Sequence, residues 1–377
     1  MFKKIILAVV LLLLLIQLPF VYRRYKLRKL SAAIQQLNSQ RSPVQSQTNY
    51  REYKGVVHVH SFLGGHSSGT FAEIIEAAKT NQLDFVIMTE HTEKAFDTAA
   101  MTLQGVHGGV LFVNGNETSV ENGDRFLKLP QNVSLVAYPE EFKNWETPGL
   151  SGVEVYNVYS NTRRANPLVA FFDVLWSHRA YPDLLFALYF ERPDANLKLW
   201  DQALTRARLT ATAGNDAHSN VGVSLRDSSG KTLAGIQLDP YATSFRLVRL
   251  HVLLPTDKPL DSATLLEAIR AGHCFLGFDL FGDTSGFGFE ATTPSATVIQ
   301  GDAIPPQDGV RLRVQTPVAS RIVLLKDGAV ILNESGVTTK EIAVTERGVY
   351  RVEVYLPEVE RIIGEKPWII SNPIYVR

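Results

Sequence analysis

Disulfide chemistry is missing from this chain, because its one cysteine, Cys274, has no second cysteine to pair with. That excludes a disulfide scaffold and a cysteine-rich zinc module, and leaves the compartment open. Net charge is missing too: Lys plus Arg and Asp plus Glu number 38 each. A general nucleic-acid binder normally carries a basic excess, so no nucleic-acid partner is expected. There is no internal repeat and no coiled-coil pattern. What is present is a 377-residue chain, 45% apolar and 20% charged, which excludes wholesale disorder and fits two or three domains.

The one long apolar run is IILAVVLLLLLIQLPFVY, residues 5–22, broken only by Gln17 and Pro19. Its eighteen residues at about 1.5 Å each reach about 27 Å, enough to cross a hydrocarbon core. The exit, LPFVYRR, has no small-x-small cleavage site, so the run reads as an uncleaved single-pass anchor over residues 1–29. Sidedness is open. The basic cluster Arg23, Arg24, Lys26, Arg28 and Lys29 points the body to the cytoplasm. The Lys3-Lys4 start is that of an export signal, and the lean is extracytoplasmic. Residues 30–50, rich in Gln, Ser and Asn, read as a polar tether.

From residue 51 strand-like runs alternate with helix-like ones, which predicts a mainly parallel sheet or a β/α barrel over 51–284. VVHVH, LDFVIMTEH, VLFVNGNE, VSLVAYPEE, GVEVYN and LTATAGNDAH are apolar runs that end in polar residues. In such folds chemistry sits at the carboxyl ends of strands. Residues 285–377 change to short alternating runs separated by turn residues, predicting a C-terminal antiparallel β-sandwich. Residues 166–190 are unusually aromatic and apolar, as in a pair of buried helices or an interfacial segment against the bilayer.

His58, His60 and His66 fall within nine residues of a chain that has nine histidines. In a strand His58 and His60 project to one face, so both imidazoles can reach one cation. Glu90 with His91, Glu117, and Asp216 with His218 end other runs. His with Asp or Glu is the donor set of zinc, manganese or iron hydrolases, and a carboxylate such as Glu117 can bridge two ions. Gly64, Gly65, Gly69, Gly115 and Gly214 suit tight turns around these donors. Arg163, Arg164 and Arg179 fall near the expected mouth, where they can pair a substrate phosphate.

HVHSFLGGHSSGTFAEIIEAAKTNQLDFVIMTEHTE resembles the opening of the PHP (polymerase and histidinol phosphatase) superfamily, and GNE, VEVYN and GNDAH resemble its later motifs in order. LLEAIRAGHCFLG followed by a β-rich tail ending PWIISNPIYV resembles the branch that includes carbamate-ester hydrolases. The resemblance implies a distorted seven-stranded β/α barrel with two or three divalent ions. His58, His60, Glu117 and Asp216 would hold one ion; His66, His91 and His218 would hold another. At the places of a third ion's ligands stand Tyr138 and Asn157, poor donors, so two ions are expected. The implied function is a membrane-anchored metallohydrolase of small-molecule esters, with phosphoesters first. Carbamate, amide or carboxylic esters, or a non-catalytic scaffold, are the alternatives. His218 or His178 would pass a proton to the leaving group.

Overall fold

The computed structural model describes residues 2–41, 49–226, 232–306 and 309–377. The chain is mixed α/β, with a long apolar helix at its N-terminus and a strand-rich C-terminal region. Strand β1 (Tyr50–Val59) pairs in parallel with β2 (Phe85–Met88), which a short break separates from β3 (Glu90–His91). Hairpin partner β4 (Gly105–His107) edges β5 (Val110–Val113), itself parallel to β2. Then come β6 (Asn116–Ser119), β7 (Arg125–Leu129), β8 (Val133–Ala137), β9 (Gly152–Asn157) and β10 (Thr210–Gly214). They form a second sheet in the order β10-β9-β8-β7-β6-β3. Beyond β10 the chain returns to β1: the Asn215 N–H donates to Val57 O (2.9 Å) and the Ala217 N–H to His58 O (3.1 Å). The ends of β1, β3, β6 and β10 therefore converge on one place.

After the hairpin β11 (Gly222–Arg226) and β12 (Thr232–Gln237), β13 (Arg249–Pro255) lies antiparallel to β1, and β14 (Cys274–Gly277) to β13. The C-terminal region supplies β15 (Gly288–Thr292), β16 (Thr297–Ile299), β17 (Ala303–Ile304), β18 (Arg311–Lys326), β19 (Ala329–Ala343), β20 (Gly348–Tyr355), β21 (Pro367–Ser371) and β22 (Ile374–Val376). These strands continue the first sheet. β14 pairs β21 and β21 pairs β20, so hydrogen bonding crosses the expected 284/285 boundary unbroken. One buried apolar core likewise runs from Val57 and Ile87 through Phe275 to Ile369 and Val354.

Helix α1 (Phe2–Gln40) is long and apolar enough to cross a membrane, a property it shares with signal sequences. It also corrects the expected tether. Residues 30–40 are its last turns rather than a solvated linker, and residues 42–48 lie outside the described residues. Leu27, Leu30, Ile34 and Leu37 recur at helical spacing; Leu27, Leu30 and Leu37 are buried. Further along the chain are α2 (Phe71–Thr80), α3 (Thr98–Met101), α4 (Val158–Arg163), α5 (Pro167–Ser177), α6 (Asp194–Leu204), α7 (Tyr241–Leu247), α8 (Ser262–Ala271) and α9 (Pro357–Ile363). α1 packs on α5 and α9. Asn166 caps α5, with Pro167 in its first turn.

The sheet also buries a charge. His251 on β13 is fully enclosed, 2.6 Å from Glu52 and 3.3 Å from Asp279, its ring stacked 4.7 Å from Phe275. Burial alone would lower its pKa, but Asp279 and Glu52 outweigh it and hold it up at about 9. The folded value lies above the unfolded one of about 6.5. The pair therefore stabilises fully below pH 6.5, and that contribution fades as pH rises through 9. Urea unfolding in detergent should lose on the order of 3 kcal/mol between those limits, a step that His251→Gln should lack.

Candidate metal centre

The histidine pair reaches its place through an irregularity in β1. Register against β2 shifts between Val57 and Val59, and His58 takes φ 67 as the extra residue of a bulge. His60 follows just past the strand, its N–H donating to Ala217 O at 3.0 Å. The two rings are 5.0 Å apart. They meet as expected, but by a bulge and not by simple alternation. Asp216 (φ 49) and Tyr138 (φ 52) are also left-handed and face the same pocket. Each such residue costs about 1–3 kcal/mol and persists only where its surroundings enforce it, as functional sites often do.

Four donor atoms, from His58, His60, Glu117 and Asp216, lie within 4.8 Å of one another, and all four residues are buried. His58 Nε2 is 3.3 Å from Glu117 Oε2 and 3.5 Å from Asp216 Oδ1; His60 Nε2 is 3.6 and 3.5 Å from the same oxygens. A second group, His60, His91 and His218, meets the same criterion. His91 Nδ1 lies 3.4 Å from Glu117 Oε2, so this carboxylate faces both groups. His91 Nε2 and His218 Nε2 approach to 3.5 Å. His66 is exposed with its ring 4.8 Å from that of His91, and it belongs to neither group.

Both nitrogens of His60, Oε1 of Glu117 and Oδ1 of Asp216 are buried without a hydrogen-bond partner. Orphaned groups of this kind are expensive, and several at one point call for a shared partner. A divalent cation fits, since imidazole nitrogens and carboxylate oxygens are its donors and its charge offsets the acids. Electrostatics agree. Burial, reinforced by His58 and His218, lowers His60 to about 3, keeping it in the neutral form that ligates. Burial works against Glu117 ionising, yet His58 and His60 hold it at about 2. His58 is raised, because Glu154, Asp216 and Glu117 outweigh burial. Ion binding would displace that proton.

Glu154 on β9 had not been singled out from the sequence. Its Oε2 lies 2.6 Å from His58 Nδ1, which fixes the ring and turns Nε2 to the pocket. Gly214 makes room: a Cβ there would come within 2.2 Å of Glu154 Oε2. Gly214→Ala should push that carboxylate off His58 and weaken divalent-ion affinity about tenfold or more, measurable by calorimetric titration. Arg125 on β7 was also missed. Its Nη1 is 3.5 Å from Glu117 Oε1 and its guanidinium lies 4.9 Å from the centre of the Tyr138 ring. Tyr138 and Asn157 act as donors: the Tyr138 hydroxyl donates to Asp216 Oδ2 (2.8 Å), and Asn157 Nδ2 to Glu154 Oε1 (2.6 Å). Glu90 faces away and accepts from the Ser61 N–H and hydroxyl and the Thr102 hydroxyl.

A polar cleft of about 600 Å³ opens over the donors, lined by His66, His91, Glu117, Arg125, Arg163 and His218 among others. Of the three expected arginines only Arg163 lines it. Arg164 instead pairs with Glu140 at 2.6 Å, and Arg179, exposed in the turn after α5, lines neither this cleft nor its neighbour. His178 lines that neighbour, an apolar cleft of about 350 Å³.

No family model and no curated protein matches the chain. Among solved structures, the chain is similar to a two-domain protein from Bacteroides vulgatus containing a predicted PHP-like metal-dependent phosphoesterase. Identity is 12% and the TM-score 0.39, over 88% of this chain and 98% of that one. It is also similar to PsfC from Pseudomonas syringae, at 13% identity and a TM-score of 0.35, over 58% of this chain and 88% of that one.

Proposed function

We propose that this chain is a PHP-type metal-dependent hydrolase of phosphoric esters, held at a membrane by α1. The observation that carries the reading is the buried donor set in which both His60 nitrogens, Glu117 Oε1 and Asp216 Oδ1 have no hydrogen-bond partner among the described residues. His58, His60, Glu117 and Asp216 would hold one divalent ion, and His91 and His218 a second, with Glu117 facing both; His60 lies within both groups, and its neutral ring has one lone pair to give. Zinc, manganese and iron all suit such donors. Bound there, the ions would activate water at neutral pH and offset charge on the ester oxygens.

The chain's own residues do the rest. Arg125 and Arg163 line the cleft and offer forked donors to a phosphate. A water oxygen bonds to phosphorus as the water's proton passes to a neighbouring imidazole, the P–O bond to the leaving group breaks, and the leaving oxygen takes up that proton. With His218 in a donor group, His66 on the exposed rim is the imidazole free to return that proton. Glu154 and Asn157 hold His58 and Asp216 in place.

The fold proposed with this function is a distorted barrel of β1, β2–β3, β5–β6, β7, β8, β9 and β10. The strand pairings and the return of residues 215–217 to β1 support it. The anchor is proposed as uncleaved, because Leu27, Leu30 and Leu37 are buried and Arg23 pairs with the enclosed Asp173.

The test is hydrolysis by the full chain in detergent of p-nitrophenyl phosphate, its bis ester and p-nitrophenyl acetate, with added manganese or zinc. Metal-dependent turnover of a phosphate ester is the expected result. Turnover of the acetate alone would replace this reading with a carboxylic-ester hydrolase, and bound metal without any turnover with a scaffold.

A further inference from the structure

Helix α5 has three faces with different neighbours. Phe172, Asp173 and Trp176 meet α1: Phe172 stacks near Phe20 (4.8 Å), Asp173 pairs with Arg23 (2.7 Å), and Trp176 Nε1 donates to Gln17 Oε1 (2.9 Å). Ala170 and Val174 line the apolar cleft. Leu168, Phe171 and Leu175 are 66%, 60% and 66% exposed, a stripe of large apolar side chains that no described residue covers. All the α1 partners fall at residues 17–24, the C-terminal end of the apolar run, which is where a spanning helix meets the bilayer surface. An exposed apolar stripe with a tryptophan beside it, at that height, suits the headgroup boundary.

The apolar cleft begins behind this helix. Val158, Val174, Leu185, Phe186 and Leu247 line it, and its volume of about 350 Å³ is that of a ligand site. Its inner end includes Asp216 of the donor set, and it shares Tyr159, Arg163 and Asp216 with the polar cleft. A water-soluble phosphate ester would use only the polar cleft. A molecule filling both would be phosphorylated at one end and hydrocarbon at the other.

We infer that the substrate is a bilayer lipid carrying a phosphoester, its head over the donor set and an acyl chain in the cleft behind α5. The head-group half of this rests on the phosphoesterase reading; the acyl-chain half rests on the cleft and its membrane-facing wall. Bilayer continuity supplies the lipid: the exposed stripe of α5 lies in the surface layer, and the adjoining face of the same helix, with Ala170 and Val174, is a wall of the cleft.

The test reconstitutes the full chain in phosphatidylcholine vesicles containing phosphatidic acid with a diazirine in one acyl chain. After photolysis, peptide mass spectrometry locates the adducts. Adducts on residues 158–189 and 238–247 are expected. They should fall at least tenfold in Ala170→Trp, which fills the cleft, and in Val221→Trp, a milder change at its exposed rim, with metal content retained. Adducts confined to residues 5–22 or to Leu168, Phe171 and Leu175, and unchanged in both variants, would overturn the inference. If p-nitrophenyl phosphate is turned over without cleft adducts, the lipid assignment falls and the phosphoesterase reading stands. Cleft adducts in a chain that binds no metal and turns over no ester would keep the lipid site and remove the phosphoesterase reading.

Discussion

Glu117→Ala is expected to lower turnover of a phosphate ester by at least about a thousandfold. Its carboxylate faces both donor groups, 3.3 Å from His58 Nε2 and 3.4 Å from His91 Nδ1. Removing it takes a shared ligand from each proposed ion. Metal-assisted charge stabilisation is worth several kcal/mol, and each 1.4 kcal/mol or so is a decade in rate. Circular dichroism of the variant checks that it folds, since the change removes a buried oxygen without a hydrogen bond but also the partner of His58 Nε2. Near-wild-type turnover with unchanged metal content would remove Glu117 from the site.

Glu154→Ala is the second large effect, and it differs in kind. Glu154 belongs to neither donor group, yet it holds His58 by a 2.6 Å contact deep in the fold. Losing such a partner typically costs about 10–100-fold in metal affinity. Raising manganese or zinc should therefore restore much of the rate in Glu154→Ala but not in Glu117→Ala. A Glu154→Ala chain that keeps full affinity would make the contact incidental. Asn at 154 would be a poor control, since its shorter side chain reaches neither His58 nor the amide of Asn157.

The donor set was legible in the sequence because each member closes an apolar run, and strand ends gather at one edge of a β/α sheet. Glu154 escaped notice although its signal was present: an acid between Val153 and Val155, inside a run otherwise fit for burial, needs a buried partner. Arg125 gave no such signal, as a basic residue just after a turn is ordinary, and only the β6–β7 hairpin returns it to Glu117. The end of α1 was hidden by its polar composition, yet Leu30, Ile34 and Leu37 already marked one helical face. The pairing of β14 with β21 joins residues almost a hundred positions apart, and no local pattern encodes that register. In the 166–190 segment Asp173 and Ser177 are buried while Leu168, Phe171 and Leu175 are exposed, the reverse of what their polarity suggests.

The most direct test of the central claim is the divalent-metal content of the full chain, purified in detergent, reloaded with manganese or zinc and desalted. It should be measured beside a His58→Asn, Asp216→Asn double variant. Asparagine is the substitution of choice because both positions are left-handed, a conformation it tolerates. About two ions per wild-type chain, reduced to about one in the double variant, which leaves His91, His218 and Glu117 in place, is the result the two proposed donor groups predict. Wild-type and variant chains that carry equal metal, or none, would contradict it.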